Sequence, residues 1–144
     1  MSSQLTQQLV VFTLGSEEYA LPIAQVQEII RYSEPRAVSS TSTWIRGVIS
    51  LRGKIIPVCD LAARLGLAGE RAADAKIVIV EANASTTGVI VDDVKEVLTI
   101  DTAQLDEVPA GGTDFIEAIA KVDDRLVVLI NPDGIFGGAG ALAA

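Results

Sequence analysis

Residues of several chemical types recur along this chain at two nearly constant offsets. Phe12, Ile23, Val26, Glu28 and Ile29 move by 68 positions onto Val80, Val91, Val94, Glu96 and Val97. Trp44, Ile45, Arg52, Gly53 and Asp60 move by 71 onto Phe115, Ile116, Asp123, Asp124 and Asn131. The three additional residues fall in the loop between the two blocks. A repeat of this length makes each half one supersecondary unit that buries its apolar face against its twin. The 144 residues then form one domain, 1–144, with the repeat boundary near 70–76.

Within each half the pattern is mainly that of strands. Leu9-Val10-Val11-Phe12-Thr13-Leu14, a turn at Gly15-Ser16-Glu17 and Tyr19-Ala20-Leu21 read as a hairpin. Pro22 suits a first helical turn, and Ile23, Val26, Ile29 and Ile30 follow at helical spacing, which predicts a short amphipathic helix. Gly47 to Leu51, the tip Arg52-Gly53 and Lys54 to Cys59 predict a second hairpin, with Pro57 at an edge or bulge. Asp60 is placed to cap a helix from Leu61 to Leu65, closed by Gly66. The second half repeats this plan. Ile77 to Val80 and Gly88 to Val91 are strands, and Val91, Val94 and Val97 recur at helical spacing. Ile116 to Val122 and Leu126 to Ile130 form a hairpin, with Asn131-Pro132 opening a last helical turn. Residues 137–144 are small and of low complexity, which predicts a flexible tail. Four or five short antiparallel strands per half hide their edges best by curling into a small barrel.

Composition narrows the function classes. Hydrophobic residues make up 49% of the chain, enough for a core. With 19 Asp+Glu against 11 Lys+Arg the net charge is −8, which repels phosphate backbones and anionic membrane surfaces. There is no histidine, so the commonest general base and metal ligand are missing. The single Cys59 permits neither an internal disulfide nor a cysteine zinc site, and no cofactor is expected. No apolar run reaches the roughly 20 residues of a membrane span, and the polar first ten residues predict the cytoplasm. The halves differ in charge. Residues 1–72 carry seven Lys+Arg and six Asp+Glu, whereas residues 73–144 carry four and thirteen. Similar shapes with opposed electrostatics suit distinct faces for distinct partners.

Candidate chemistry is sparse. The pairs Glu17-Glu18, Asp92-Asp93, Asp106-Glu107 and Asp123-Asp124 are adjacent in sequence, whereas acid–base catalysis needs carboxylates converging from different elements. They read as solvated turn residues. Cys59, in an apolar run, reads as an inert core thiol. Gly137-Gly138-Ala139-Gly140 lacks the Lys-Ser/Thr of a phosphate loop. Glu28, on the polar side of an apolar segment beside Val26, and Arg52, at a hairpin tip, are the candidates for partner contact.

These residues carry a resemblance to the chemotaxis coupling-protein family, the CheW-like domain. Phe12 to Ile23 running into Val26-Gln27-Glu28-Ile29 is similar to its opening signature, and Gly47 to Leu61 to its most specific stretch. Gly88 to Asp92, Glu96-Val97-Leu98 and Ile119 to Val122 complete a match over residues 9 to about 136. The resemblance implies two intertwined, pseudo-symmetric five-stranded SH3-like barrels sharing a hydrophobic core, with a few short helices. It implies a non-enzymatic adaptor that couples the cytoplasmic tips of chemoreceptors to the regulatory domain of a chemotaxis histidine kinase. Such a protein is cytoplasmic and recruited to membrane-associated receptor arrays, without nucleic acid and without membrane insertion of its own. Receptor-contacting positions of the family fall on Val26, Glu28, Arg52, Ile77, Val78 and Val97, expected to line a groove between the halves. The kinase is expected to use apolar barrel-end surface. Two departures stand out: Ser50 replaces the usual Asn, and Ala110-Gly111-Gly112 follows Pro109 where some members carry an apolar contact residue. An alternative is the same adaptor in a pathway governing surface motility, biofilm or gene expression. A small-molecule binder using the groove is disfavoured, because converging polar groups are lacking.

Overall fold

The computed structural model describes residues 6–38, 44–67, 74–107 and 115–137. The tail beyond Gly137, most of the expected repeat boundary and the Ala110-Gly111-Gly112 departure lie outside the described residues. The first half contributes β1 (Thr6–Leu14), β2 (Glu17–Pro22), β3 (Val26–Arg31), β4 (Ile45–Leu51), β5 (Lys54–Asp60) and the short helix α1 (Leu61–Arg64). The second contributes β6 (Lys76–Ala82), β7 (Ser85–Val91), β8 (Asp93–Asp101), β9 (Leu105–Glu107), β10 (Ile116–Val122), β11 (Arg125–Ile130) and α2 (Pro132–Gly137).

All four expected hairpins form: β1–β2, β4–β5, β6–β7 and β10–β11. The β4–β5 tip is a two-residue turn with positive φ at both Arg52 (51°) and Gly53 (81°), the geometry whose twist matches the flanking strands. Asp60 caps α1 by accepting the Ala63 N–H at 3.2 Å, and Asn131 accepts the Asp133 N–H at 3.0 Å at the start of α2.

The strands form two sheets, ordered β8-β1-β2-β11-β10-β9 and β3-β6-β7-β5-β4. Each sheet mixes the halves: β1–β2 sits between β8 and β11, and β6–β7 between β3 and β5. Shifting β1, β2 and β3 by 68 gives β6, β7 and β8, and shifting β4 and β5 by 71 gives β10 and β11. The two sheet orders interconvert under that exchange, so the sequence repeat is also an architectural one. The molecule is mainly β, but the expectation of five strands per barrel is corrected in one sheet. There β9 is a sixth strand, pairing Asp106 with Ile119. Its counterpart shrinks to a single bridge between Arg36 and Val48.

The two expected amphipathic helices are corrected to strands. Pro22 leads into one 3-10 turn, Ile23–Gln25, and β3 follows at once; Val91 ends β7, and Val94 and Val97 lie in β8. The cause is a bulge. Val26 and Ile29 face Val80 and Val78, which are two residues apart, so one residue on β3 is extra. Val94 and Val97 face Phe12 and Val10 in the same way. A strand spacing of two plus one bulged residue mimics a helical spacing of three. The β-branched composition of both segments favours the strand.

Burial follows the repeat. Leu9, Val11, Ala120, Val127 and Leu129 pack inside the six-stranded sheet, and their counterparts Ile77, Ile79, Ile49, Ile56 and Val58 pack inside the other. A third cluster joins the halves, with Phe12, Leu21, Leu61, Val78, Val91, Phe115, Ile130 and Ile135 among its members. A chain with 49% hydrophobic residues fills these three sites and still leaves several apolar side chains outside.

Candidate functional site

In the five-stranded sheet β3 and β4 are the two edges. The sheet is nevertheless curled enough for its edges to meet. Arg36, just past β3, and Val48 of β4 exchange backbone hydrogen bonds of 2.8 and 2.9 Å. The Arg52 side chain, at the β4–β5 tip, reaches Glu28 of β3 with two prongs. Nη2 donates to Oε1 at 2.8 Å, and Nη1 donates to Oε2. The Arg52 guanidinium, hydrogen-bonded to Glu28, holds that carboxyl below the usual carboxylate range, and Glu28 in turn raises the Arg52 pKa.

The pair is on the surface: the Arg52 side chain is 69% exposed. A bidentate guanidinium fixes direction as well as charge. Exposed ion pairs contribute little to stability, so folding alone does not account for this one. Several of the five guanidinium N–H groups still face solvent, ready for a second acceptor.

Of the remaining expected site residues, Val26 is half-buried at the start of β3 and packs on the shared core. Ile77 and Val78 on β6 are fully buried. On the strand paired with β3, Ile77 packs into the core of this sheet and Val78 into the shared core on the other side, so they support a surface rather than present one. Val97 is 51% exposed, but it lies on β8 in the other sheet. The expected groove residues therefore divide: Glu28 and Arg52 meet, Val26 flanks them, two are core, and one is on the opposite sheet.

Sequence reasoning passed over Ile55 (68%) and Leu126 (63%), the most exposed large apolar residues among those described. They are counterparts at the 71-residue offset, and Ile29 and Val97 are counterparts at 68. Each sheet thus exposes an apolar pair at equivalent positions. The repeat carried that signal, because a counted offset applies to surface positions as well as to the core.

The second sheet handles charge differently. Glu96 is the counterpart of Glu28, but the tip opposite it carries Asp123-Asp124 instead of Arg52-Gly53. Arg125 replaces the tip arginine, its Nη2 donating to Glu96 Oε2 at 2.8 Å. The same Arg125 donates to Glu18 Oε1 through Nε at 2.9 Å and Nη2 at 2.8 Å, and Lys95 donates to Glu18 Oε2 at 3.2 Å. Glu18 is therefore no free turn residue: its hydrogen bond to Arg125 keeps its carboxyl ionised to lower pH, against the opposing effect of burial. Glu17 is exposed as expected and accepts the Tyr19 hydroxyl at 2.7 Å.

No group of three or more His, Cys, Asp or Glu among the described residues is placed to hold a metal ion. Cys59 is buried, and burial pushes its thiol pKa far up, the opposite of an activated nucleophile. Among the described residues no helix is long and apolar enough to cross a membrane. What the surface offers is docking area, apolar side chains at matched positions beside oriented charge, and that defines an interaction scaffold.

The chain belongs to the CheW-like domain family, whose profile matches residues 8–139. It is 33% identical over 134 residues to the chemotaxis protein CheW of Bacillus subtilis, covering 90% of this chain and 86% of that one. The chemotaxis protein CheW of Klebsiella aerogenes is 31% identical over 130 residues, covering 87% and 78%. The crystal structure of the scaffolding protein TtCheW from Thermoanaerobacter tengcongensis superposes with a TM-score of 0.86 at 38% identity, covering 92% and 93%. By this membership the protein is a chemotaxis scaffold and not an enzyme.

Proposed function

We propose that this protein couples the cytoplasmic tips of chemoreceptors to the regulatory domain of a chemotaxis histidine kinase. It acts in the cytoplasm at membrane-associated receptor arrays. The observation that carries the receptor side is the Glu28–Arg52 pair. Two residues 24 positions apart in sequence meet on an exposed rim, in a geometry that folding stability does not require. Arg52 supplies a charge-assisted contact to a receptor acceptor group, with Glu28 aiming it. Val26 and the exposed Ile29 and Ile55 supply apolar area nearby, over the support of buried Ile77 and Val78. Val97, on the other sheet, extends contact to the second half.

We read each curled sheet as an SH3-like barrel, the two intertwined by exchange of one hairpin. The support is the matched strand order and the joining of the last strand to the continuation of the first, through Arg36 in one sheet and β9 in the other. A rigid body of this kind holds two partners at one relative geometry, so that a receptor change biases the kinase's conformational equilibrium through differential contacts.

The test is calorimetric titration of a receptor tip fragment into the wild type, Arg52→Ala and Glu28→Ala. Both variants keep the wild-type melting profile and bind the fragment more weakly, Arg52→Ala the more so. Unchanged affinity in both refutes the assignment of this face to the receptor.

A further inference from the structure

The seam between the halves holds an asymmetry. Trp44 and Phe115 are counterparts, each just ahead of the first strand of its half's second hairpin. Their carbonyls accept the backbone N–H groups of Asp60 and Asn131, also counterparts, both at 2.7 Å. The same 71-residue offset carries Arg64 of α1 onto Ile135 of α2. Ile135 is fully buried in the shared core. Arg64 is half-buried and stacks its guanidinium on both aromatic rings, 4.9 Å from the Trp44 centroid and 4.5 Å from the Phe115 centroid. Its Nε donates to the carbonyl of Ile135, its own counterpart, at 3.4 Å.

Counterparts touch only close to the axis that relates two repeats, so Arg64 sits at that axis. A second arginine in place of Ile135 would bring like charges together there. One planar guanidinium, by contrast, binds a ring from each half and a carbonyl of the second at once. A lysine ammonium has neither the plane to stack on two rings nor the fixed fork of donors.

We propose that Arg64 is a positioning residue that fixes the angle between the two sheets, since Trp44 leads into β4 of one and Phe115 into β10 of the other. It thereby sets the relative orientation of a receptor held at the Glu28–Arg52 pair and a kinase held on the other sheet, where Leu126 is exposed. This rests on the functional reading above. A residue that served stability alone would, when replaced, weaken every interaction together. A residue that sets an angle leaves each separate contact intact and damages what depends on both.

The experiment uses full-length Arg64→Met and Arg64→Lys, which keep most of the stem and lose the stacking plane. Trp44 is the single tryptophan, so its emission reports the seam directly. Expected are a wild-type far-ultraviolet circular dichroism spectrum and a red shift of Trp44 emission. Affinity for the receptor tip alone and for the kinase regulatory domain alone stays within about two-fold, as for substitutions remote from a contact. Receptor control of kinase activity in the reconstituted three-component assembly is lost. If Arg64→Met does not fold, Arg64→Lys carries the same comparison. Full control in a folded variant overturns the inference, and so does a loss of control that merely tracks lost pairwise affinity. A wild type that binds neither partner fails earlier, and sinks the functional reading together with this inference.

Discussion

Among the described glycines at which an added Cβ can be placed, Gly47 has the closest obstruction. Its φ is +144°, and a Cβ there would lie 2.0 Å from the carbonyl oxygen and 2.6 Å from the carbonyl carbon of Arg36. Both obstacles are backbone, so no rotamer change relieves them. The chain must instead separate Arg36 from β4, breaking the reciprocal bonds of 2.8 and 2.9 Å that join the edges of the sheet. Backbone strain costs about 1–3 kcal/mol. Each lost hydrogen bond adds about 0.5–1.5 kcal/mol. Gly47→Ala should therefore lose about 4 kcal/mol of a total near 5–15 kcal/mol. At about 2–4 °C per kcal/mol the melting temperature falls by roughly 10 °C or more. Two controls separate the causes. Gly53 has φ +81° with nothing within 4 Å of a Cβ, so Gly53→Ala carries strain alone, about 1–2 kcal/mol. At Gly88 a Cβ would meet only side-chain methyls, Ile77 Cγ2 at 2.9 Å and Val58 Cγ2 at 3.4 Å, which makes Gly88→Ala an overpacking of about 1–3 kcal/mol. Urea titrations followed by circular dichroism give the three values on one scale. A Gly47→Ala protein no less stable than Gly53→Ala would refute the argument that this backbone contact closes the sheet.

Two further outcomes are expected. The Glu18 carboxyl titrates below its ordinary value near 4.5, so its contribution is fully present above that pH and is lost as pH falls through the lower folded value. Arg125→Met removes the first cause of that depression, and the variant should lose less stability than the wild type on acidification, measured by urea midpoints at successive pH values; parallel losses would count against the network. Buried Cys59, with its thiol pKa pushed up, should resist iodoacetamide in the folded protein and react only on global unfolding, and rapid labelling under native conditions would contradict its placement.

Features set by local chemistry were legible in the sequence. The tip Arg52-Gly53, the Asp60 cap and the Asn131-Pro132 start are each decided within four residues, and each forms where expected. The helical reading of Val26-Ile29 and Val94-Val97 failed because a bulge depends on the partner strand, which no local window contains. Glu28 and Arg52 could be singled out separately, but their pairing depends on the curl of a five-stranded sheet. Ile77 and Val78 were readable as core from the residues themselves. Ile77-Val78-Ile79-Val80 has no polar alternation, the mark of a strand covered on both faces. The resemblance implies receptor contact at both positions, and in the structure both side chains are buried.

The repeat explains where the two halves agree and where they part. Core counterparts stay apolar, Leu9 with Ile77, Val11 with Ile79 and Leu129 with Val58, because these positions are shut away from water; volume is freer, as Ala120 with Ile49 shows. Exposed apolar counterparts also agree: Ile55 with Leu126, and Ile29 with Val97. The tips do not. Arg52 on one face corresponds to Asp123 on the other, and Gly53 to Asp124. Shape and apolar area alone would let a partner of one face settle on its twin. An acidic group that pairs with Arg52 meets Asp123 and Asp124 at the matching place on the second face, and the neighbouring Arg125 is already bonded to both Glu96 and Glu18. On the proposed function, the charge difference between two similar surfaces would assign partners to faces by excluding the wrong one, with the apolar counterparts supplying area to both.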